Sequence, residues 1–89
     1  MLPAIMAKRV IWSTEARADL RAIDRETALR LLKALARFLK TDTGDVKQLE
    51  GYDPPLLRLR IGAYRIIFHR DGDDAIEVAR VRHRSEAYR

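Results

Sequence analysis

The chain has 89 residues, 47% of them hydrophobic and 35% charged, enough for one domain close to the lower size at which a single core carries folding unaided. It has no cysteine and two histidines, which excludes disulfides and thiolate nucleophiles and leaves only the histidines for a transition-metal site. The formal charge of +5 resides in residues 1–40, with nine Lys and Arg against four Asp and Glu, whereas residues 41–89 balance nine against nine.

Residues 1–7, Met1-Leu2-Pro3-Ala4-Ile5-Met6-Ala7, are apolar, but the run is too short for a signal-peptide core and no basic residue precedes it. It is expected to be a flexible leader, with Met6 as an alternative start. No stretch reaches the ~20 apolar residues of a membrane-spanning helix, and a cytoplasmic setting follows by default. Lys8 to Trp12 has the β-branched and aromatic content of a short strand. Ser13 can then cap a helix with Glu15 in its first turn, and Ala16, Leu20 and Ile23 give it a narrow apolar stripe. Asp24 can cap a second helix, in which Ala28, Leu31, Leu32, Leu35, Phe38 and Leu39 follow the helical period, with Arg30, Lys33, Arg37 and Lys40 opposite. So short a link predicts an antiparallel helical hairpin over one face of a sheet.

Gly44 supplies a stop signal, and Val46 to Leu49 is a brief extended or helical piece before Gly51. Asp53-Pro54-Pro55 makes a rigid lead-in to a strand, because proline cannot donate to a ladder. Leu57 to Phe68 then reads as a hairpin broken at Gly62-Ala63. Alternation puts Leu57, Leu59, Ile61, Tyr64, Ile66 and Phe68 on an apolar face and Arg58, Arg60, Arg65, Ile67 and His69 on the other. Asp71-Gly72-Asp73-Asp74 is a turn, and Ala75 to Arg82 a last strand. Its alternation predicts Ile76, Val78, Arg80 and Arg82 on one face and Ala75, Glu77, Ala79 and Val81 on the other. The fold class is therefore α+β, a single domain over 1–89: an N-terminal strand and a helical hairpin on a mostly antiparallel four-stranded sheet.

The chain has no Gly-rich phosphate loop, no histidine pair at metal-ligand spacing and no Gly-flanked serine. What remains is Arg58, Arg60, Arg65, Arg82, Arg84, His83 and Tyr88, which the sheet would gather from separate strands and the tail. Arginines clamp phosphate bidentately and stabilise a pentavalent transition state. Tyrosine stacks on a base, and histidine moves protons near neutral pH. The inventory suits phosphodiester chemistry. Against it stands the plain alternative that Arg58 and Arg60 are rim charges on an arginine-rich protein. Tyr64 and Trp12 read as packing residues, and His69 as a solvated strand end.

The hairpin Leu-Arg-Leu-Arg-Ile-Gly-Ala-Tyr-Arg-Ile-Ile-Phe, the acidic turn, and the ending Val81-Arg82-His83-Arg84-Ser85-Glu86-Ala87-Tyr88-Arg89 resemble the RelE/ParE toxin superfamily of type II toxin–antitoxin systems. The Trp12-Ser13 junction, the helical hairpin and the connector Gly44 to Gly51 fit as well. The His-Arg-Ser-Glu-Ala-Tyr-Arg ending resembles the RelE branch, whose members cut messenger RNA in the ribosomal A site. The ParE branch, which poisons DNA gyrase, usually ends differently and lacks the tyrosine.

The resemblance implies that Arg65 contacts the scissile phosphate, that Arg82 stabilises the transition state or protonates the leaving oxygen, and that Tyr88 stacks on a nucleotide and orients the 2′-hydroxyl. Arg58 and Arg60 fall where some members carry lysines, one of them proposed as the general base. Arginine stays protonated and is a poor base, so either His83 accepts the proton or the site works by charge stabilisation and orientation. His83 follows Arg82 directly and would face the helix layer if the strand continues. Arg58, Arg60, Arg84 and Lys47 are the expected RNA-binding cations. No metal or cofactor is implied. The implied partners are a cognate antitoxin, the ribosome with its messenger RNA, and promoter DNA only through the antitoxin. The rival readings are a gyrase inhibitor without nuclease chemistry and a degenerate, antitoxin-binding regulator.

Overall fold

The computed structural model describes residues 9–85; the expected leader and Tyr88 lie outside them. The elements are β1 (Arg9–Trp12), α1 (Thr14–Arg21), α2 (Arg25–Thr41), β2 (Asp45–Leu49), β3 (Leu56–Ile61), β4 (Tyr64–Arg70) and β5 (Ala75–His83). They build one five-stranded sheet in the order β1-β5-β4-β3-β2, with β1 parallel to β5 and every other pair antiparallel. The α+β class stands, with one strand more than expected. The extra strand is the connector after Gly44. Its core-side positions are Val46, opposite Leu59, and Gln48, opposite Leu57. One apolar residue in two is too weak an alternation to announce a strand, and pairing with β3 supplies what the local pattern lacks.

Both helix starts are built as their caps dictate. The Ser13 side chain accepts from the Ala16 N–H and that of Asp24 from the Thr27 N–H, each satisfying a donor with no partner inside its helix. The helix α2 turns Leu31, Leu35 and Phe38 inward onto Leu59, Ile66, Phe68, Ile76, Val78 and Val81, while α1 contributes Ala16. The Phe38 and Phe68 rings meet with centroids 5.9 Å apart at 60°, a favourable tilted geometry. The β3–β4 hairpin turns at Gly62, whose φ of 58° suits the first central position of a tight hairpin turn. Its register sets Leu57 against Phe68, Leu59 against Ile66, and Ile61 against Tyr64, so the apolar face is the expected one.

Gly44 is not the residue that ends α2. That is Asp42, in the left-handed conformation with φ 58°, its N–H bonded to the Phe38 carbonyl at 2.7 Å. Gly44 is needed for space: a Cβ there would sit 2.8 Å from Leu59 Cδ1 and 3.2 Å from Phe38 Cδ1. Leu59 and Phe38 are themselves buried and have little room to yield. Gly44→Ala is therefore expected to cost about 1–3 kcal/mol, read as a lowered midpoint in thermal unfolding. An unchanged midpoint would mean that the β2 lead-in relaxes freely.

The last strand departs from simple alternation. Phe68 pairs with Val78 but Ile67 pairs with Arg80, so Ala79 is an extra residue with no partner on β4, a β-bulge. Beyond it the faces exchange. Val81 joins Ile76 and Val78 in the core, and Arg80 and Arg82 move to the opposite face, where uninterrupted alternation had kept them with Ile76 and Val78. Burial decides this: two guanidinium groups in the core would cost far more than one unpaired residue in a ladder.

Candidate functional site

The described helices pack on one face of the sheet, and the cations of the strands collect on the other. Cross-strand pairs define adjacent rows. One runs Asp45, Arg60, Arg65, Arg82 from β2 to β5, and the next Lys47, Arg58, Ile67, Arg80. Neighbouring residues in a row are one strand spacing apart, about 4.8 Å, and the rows are separated by two residues, roughly 7 Å. Six cations from four strands thus share a small surface. Arg65 lies at its centre, on the middle strand β4, and is only 8% exposed.

Acids hold the two ends of this array. Asp45 faces Arg60 in register, and its Oδ1 lies 3.6 Å from Arg58 Nη2. At the β5 edge, Asp19 of α1 accepts from Arg80 Nε at 2.9 Å and Nη2 at 3.1 Å and from the Val81 N–H at 2.9 Å. Burial works to raise the Asp19 carboxyl, but the Arg80 and Val81 hydrogen bonds and the charges of Arg80 and Arg82 outweigh it and hold its pKa below the ordinary aspartate value. Between these acids, Arg58 Nε is a buried donor with no hydrogen-bond acceptor. A buried donor of this kind is costly unless something anionic or polar reaches it.

The structure thus brings together Arg58, Arg60, Arg65, Arg82 and Lys47. It does not bring His83 to them. The strand continues through His83, which pairs with Tyr64 on the helix-layer face, their rings in edge-to-face contact with centroids 5.1 Å apart. There it lines a cleft of about 280 Å³ with Asp19, Ala22, Ile23, Tyr64 and Val81. Its Nδ1 accepts the Ser85 N–H at 3.2 Å and lies 2.8 Å from Ser85 Oγ. Arg84 is exposed in the turn that follows, its N–H bonded to the Ala63 carbonyl. Tyr88 lies outside the described residues.

Sequence reasoning missed Arg80, which the bulge delivers; Asp19, which looks like an ordinary solvated helix residue; and the pairing of His69 with Glu77. His69 is not a free strand end. Its Nε2 lies 2.7 Å from Glu77 Oε1, and its Nδ1 lies 3.0 Å from the Arg70 carbonyl. The carbonyl raises the His69 pKa above its ordinary 6.5, partial burial opposes this, and the Glu77 hydrogen bond with the charges of Glu77 and Asp71 completes the rise. The folded value exceeds the unfolded one. The stabilisation is therefore fully present below the unfolded value and is lost as pH rises through the folded one. Thermal melts at about pH 5.5 and about pH 8.5 should show the unaltered protein losing more stability across that range than Glu77→Gln. Equal losses would remove the pair from the account.

The family profile of the ParE toxin of type II toxin–antitoxin systems, parDE, matches residues 10–88. No curated protein is a significant match in sequence. Among solved structures, the chain is similar to the RelB–RelE antitoxin–toxin complex of Methanococcus jannaschii, with TM-score 0.69, 24% identity, and coverage of 88% of this chain and 94% of that one. It is also similar to the RelE–RelB complex of Pyrococcus horikoshii OT3 (TM-score 0.69, 25% identity, coverage 89% and 97%). The RelBE2 toxin–antitoxin complex of Mycobacterium tuberculosis gives TM-score 0.64, 22% identity, and coverage of 84% and 95%.

Proposed function

Because the chain belongs to the RelE/ParE superfamily of type II toxin–antitoxin toxins, we propose that its cationic sheet face cuts messenger RNA on the ribosome. The observation that carries this reading is the row Arg60, Arg65, Arg82, three arginines in cross-strand register on the face opposite the described helices. In the proposed reaction the ribose 2′-oxygen attacks the adjacent phosphorus and the bond to the 5′-oxygen breaks. The products are a 2′,3′-cyclic phosphate, or the 3′-phosphate from its hydrolysis, and a 5′-hydroxyl end. Arg65 and Arg82 stabilise the charge that builds on the phosphorane oxygens. Arg58, with its unsatisfied Nε, and Lys47, Arg60 and Arg84 hold the flanking backbone. Tyr88 enters on the family resemblance alone, as the residue that stacks on a nucleotide and orients the 2′-hydroxyl.

A handful of cations binds isolated RNA weakly and in a salt-dependent manner, so the ribosome supplies the positioning. A cognate antitoxin holds the toxin inactive, a partner supported by the solved relatives being toxin–antitoxin complexes. It covers basic surface and the exposed Leu29 and Leu32 of α2. The gyrase-inhibitor reading is retained because the matching family profile is that of ParE.

The deciding experiment combines the purified chain, a programmed ribosome with an open A site, and end-mapping of the messenger RNA, with gyrase supercoiling measured in parallel. Cleavage inside the A-site codon supports the nuclease. Intact message with supercoiling blocked would replace it by the gyrase reading.

A further inference from the structure

The bulge at Ala79 decides where Arg82 points, and α1 holds that bulge. The strand β1 ends opposite Val78, so among the described residues no strand lies beside the outer edge of β5 from Ala79 onward. Side chains of α1 and of its N-cap take the place of that neighbour. Ser13 Oγ donates to the Ala79 carbonyl at 2.8 Å. Asp19 Oδ2 accepts the Val81 N–H and Arg80 Nε, and Oδ1 accepts Arg80 Nη2. The Asp19 side chain is 16% exposed and that of Arg80 42%, so the carboxylate is largely shielded while the guanidinium stays partly in solvent.

We infer that Asp19 is a positioning residue, which clamps the β5 bulge and so holds Arg82 beside Arg65 on the cationic face. The assignment rests on the nuclease reading and deepens it. Without the carboxylate the Val81 N–H loses its acceptor and Arg80 its bidentate partner. The edge segment from Ala79 to His83 then has less to keep it in one register, and Arg82 drifts from the row it shares with Arg65. A displacement of about 1 Å in a reacting group can lower a rate by roughly 100-fold. Phosphate attraction, by contrast, depends on the number of cations, which the substitution leaves unchanged while removing one negative charge. The signature is a fall in maximal rate with RNA affinity kept, which general destabilisation would not produce.

The test compares Asp19→Ala, Asp19→Asn, Arg82→Ala and the double variant Asp19→Ala with Arg82→Ala. The assay is single-turnover cleavage on programmed ribosomes, accompanied by the NMR cross-strand contact between the Arg65 and Arg82 backbone protons. Asp19→Ala should lower the maximal rate about 10- to 100-fold with half-saturation within about threefold, and weaken the cross-strand contact. Asp19→Asn, which keeps an acceptor for Val81, should recover part of the rate. The double variant should be no slower than Arg82→Ala, because a residue acting through Arg82 has nothing left to position. The inference is overturned if Asp19→Ala cleaves like the unaltered chain, if the two losses multiply, or if the cross-strand contact is undiminished. An unaltered chain that cuts nothing removes the nuclease reading instead. The NMR contact then decides the clamp by itself: lost in Asp19→Ala it stands, retained it falls.

Discussion

Arg65→Ala and Arg82→Ala are each expected to lower A-site cleavage by about 100- to 1,000-fold while the chain stays folded. The size follows from where the charge develops. The phosphorane carries one more negative charge than the phosphodiester, and Arg65 and Arg82 are register partners on neighbouring strands, so both are assigned to that charge in the proposed reaction. Their contribution is larger in the transition state than in the bound substrate, so the loss should appear in the maximal rate more than in ribosome binding. Replacement by lysine keeps the charge but loses the planar fork, and should recover only part of the rate. Because Arg65 and Arg82 share one row, their losses should not multiply. Full activity in either alanine variant would take that arginine out of the chemistry. Retained gyrase inhibition with no RNA cleavage in any variant would make the row a docking surface.

Phe68→Ala is expected to cost about 3–5 kcal/mol, a large share of the 5–15 kcal/mol that separates a small domain from its unfolded state. Phe68 is 0% exposed on the middle strand, paired with Leu57 on one side and Val78 on the other, and its ring meets Phe38 of α2. It therefore joins three strands to the helix layer at one point, and nothing nearby is free to fill the cavity left by a truncated ring. Urea unfolding of the purified chain reads the loss directly. A change below about 1 kcal/mol would mean that α2 settles into the gap. Phe68→Leu, which keeps more of the volume, should cost less.

The two predictions differ in how they become visible. Phe68 is legible as core from alternation alone, since Tyr64, Ile66 and Phe68 recur every second residue. The same logic separates Arg58, Arg60 and Arg65 from the apolar face of the hairpin. Ser13 and Asp24 as caps, the Leu31, Leu35 and Phe38 stripe of α2, and the turns at Gly62 and Gly72 are also local, each set by residues within about one turn or one pleat. The cationic character of the sheet face follows from these, and so does a family resemblance that the profile match to residues 10–88 supports.

What only the tertiary structure decided lies at longer range. The β2 strand exists because β3 is there to pair with it, and His69 acquires its partner from β5. Local alternation assigned Arg82 to the face of Ile76 and Val78, and the bulge at Ala79 moved it to the face of Arg65. The side chain that holds that bulge is Asp19, 61 and 62 positions from the residues it binds. Alternation along a strand carries face information only while the backbone pairing keeps step, and here the step is broken by an extra residue whose backbone is satisfied from a helix far away in the chain. Arg58, Arg60 and Arg65 could therefore be placed on the cationic face from the sequence, whereas the arrival there of Arg80 and Arg82, and the alignment of Arg82 with Arg65, came from packing.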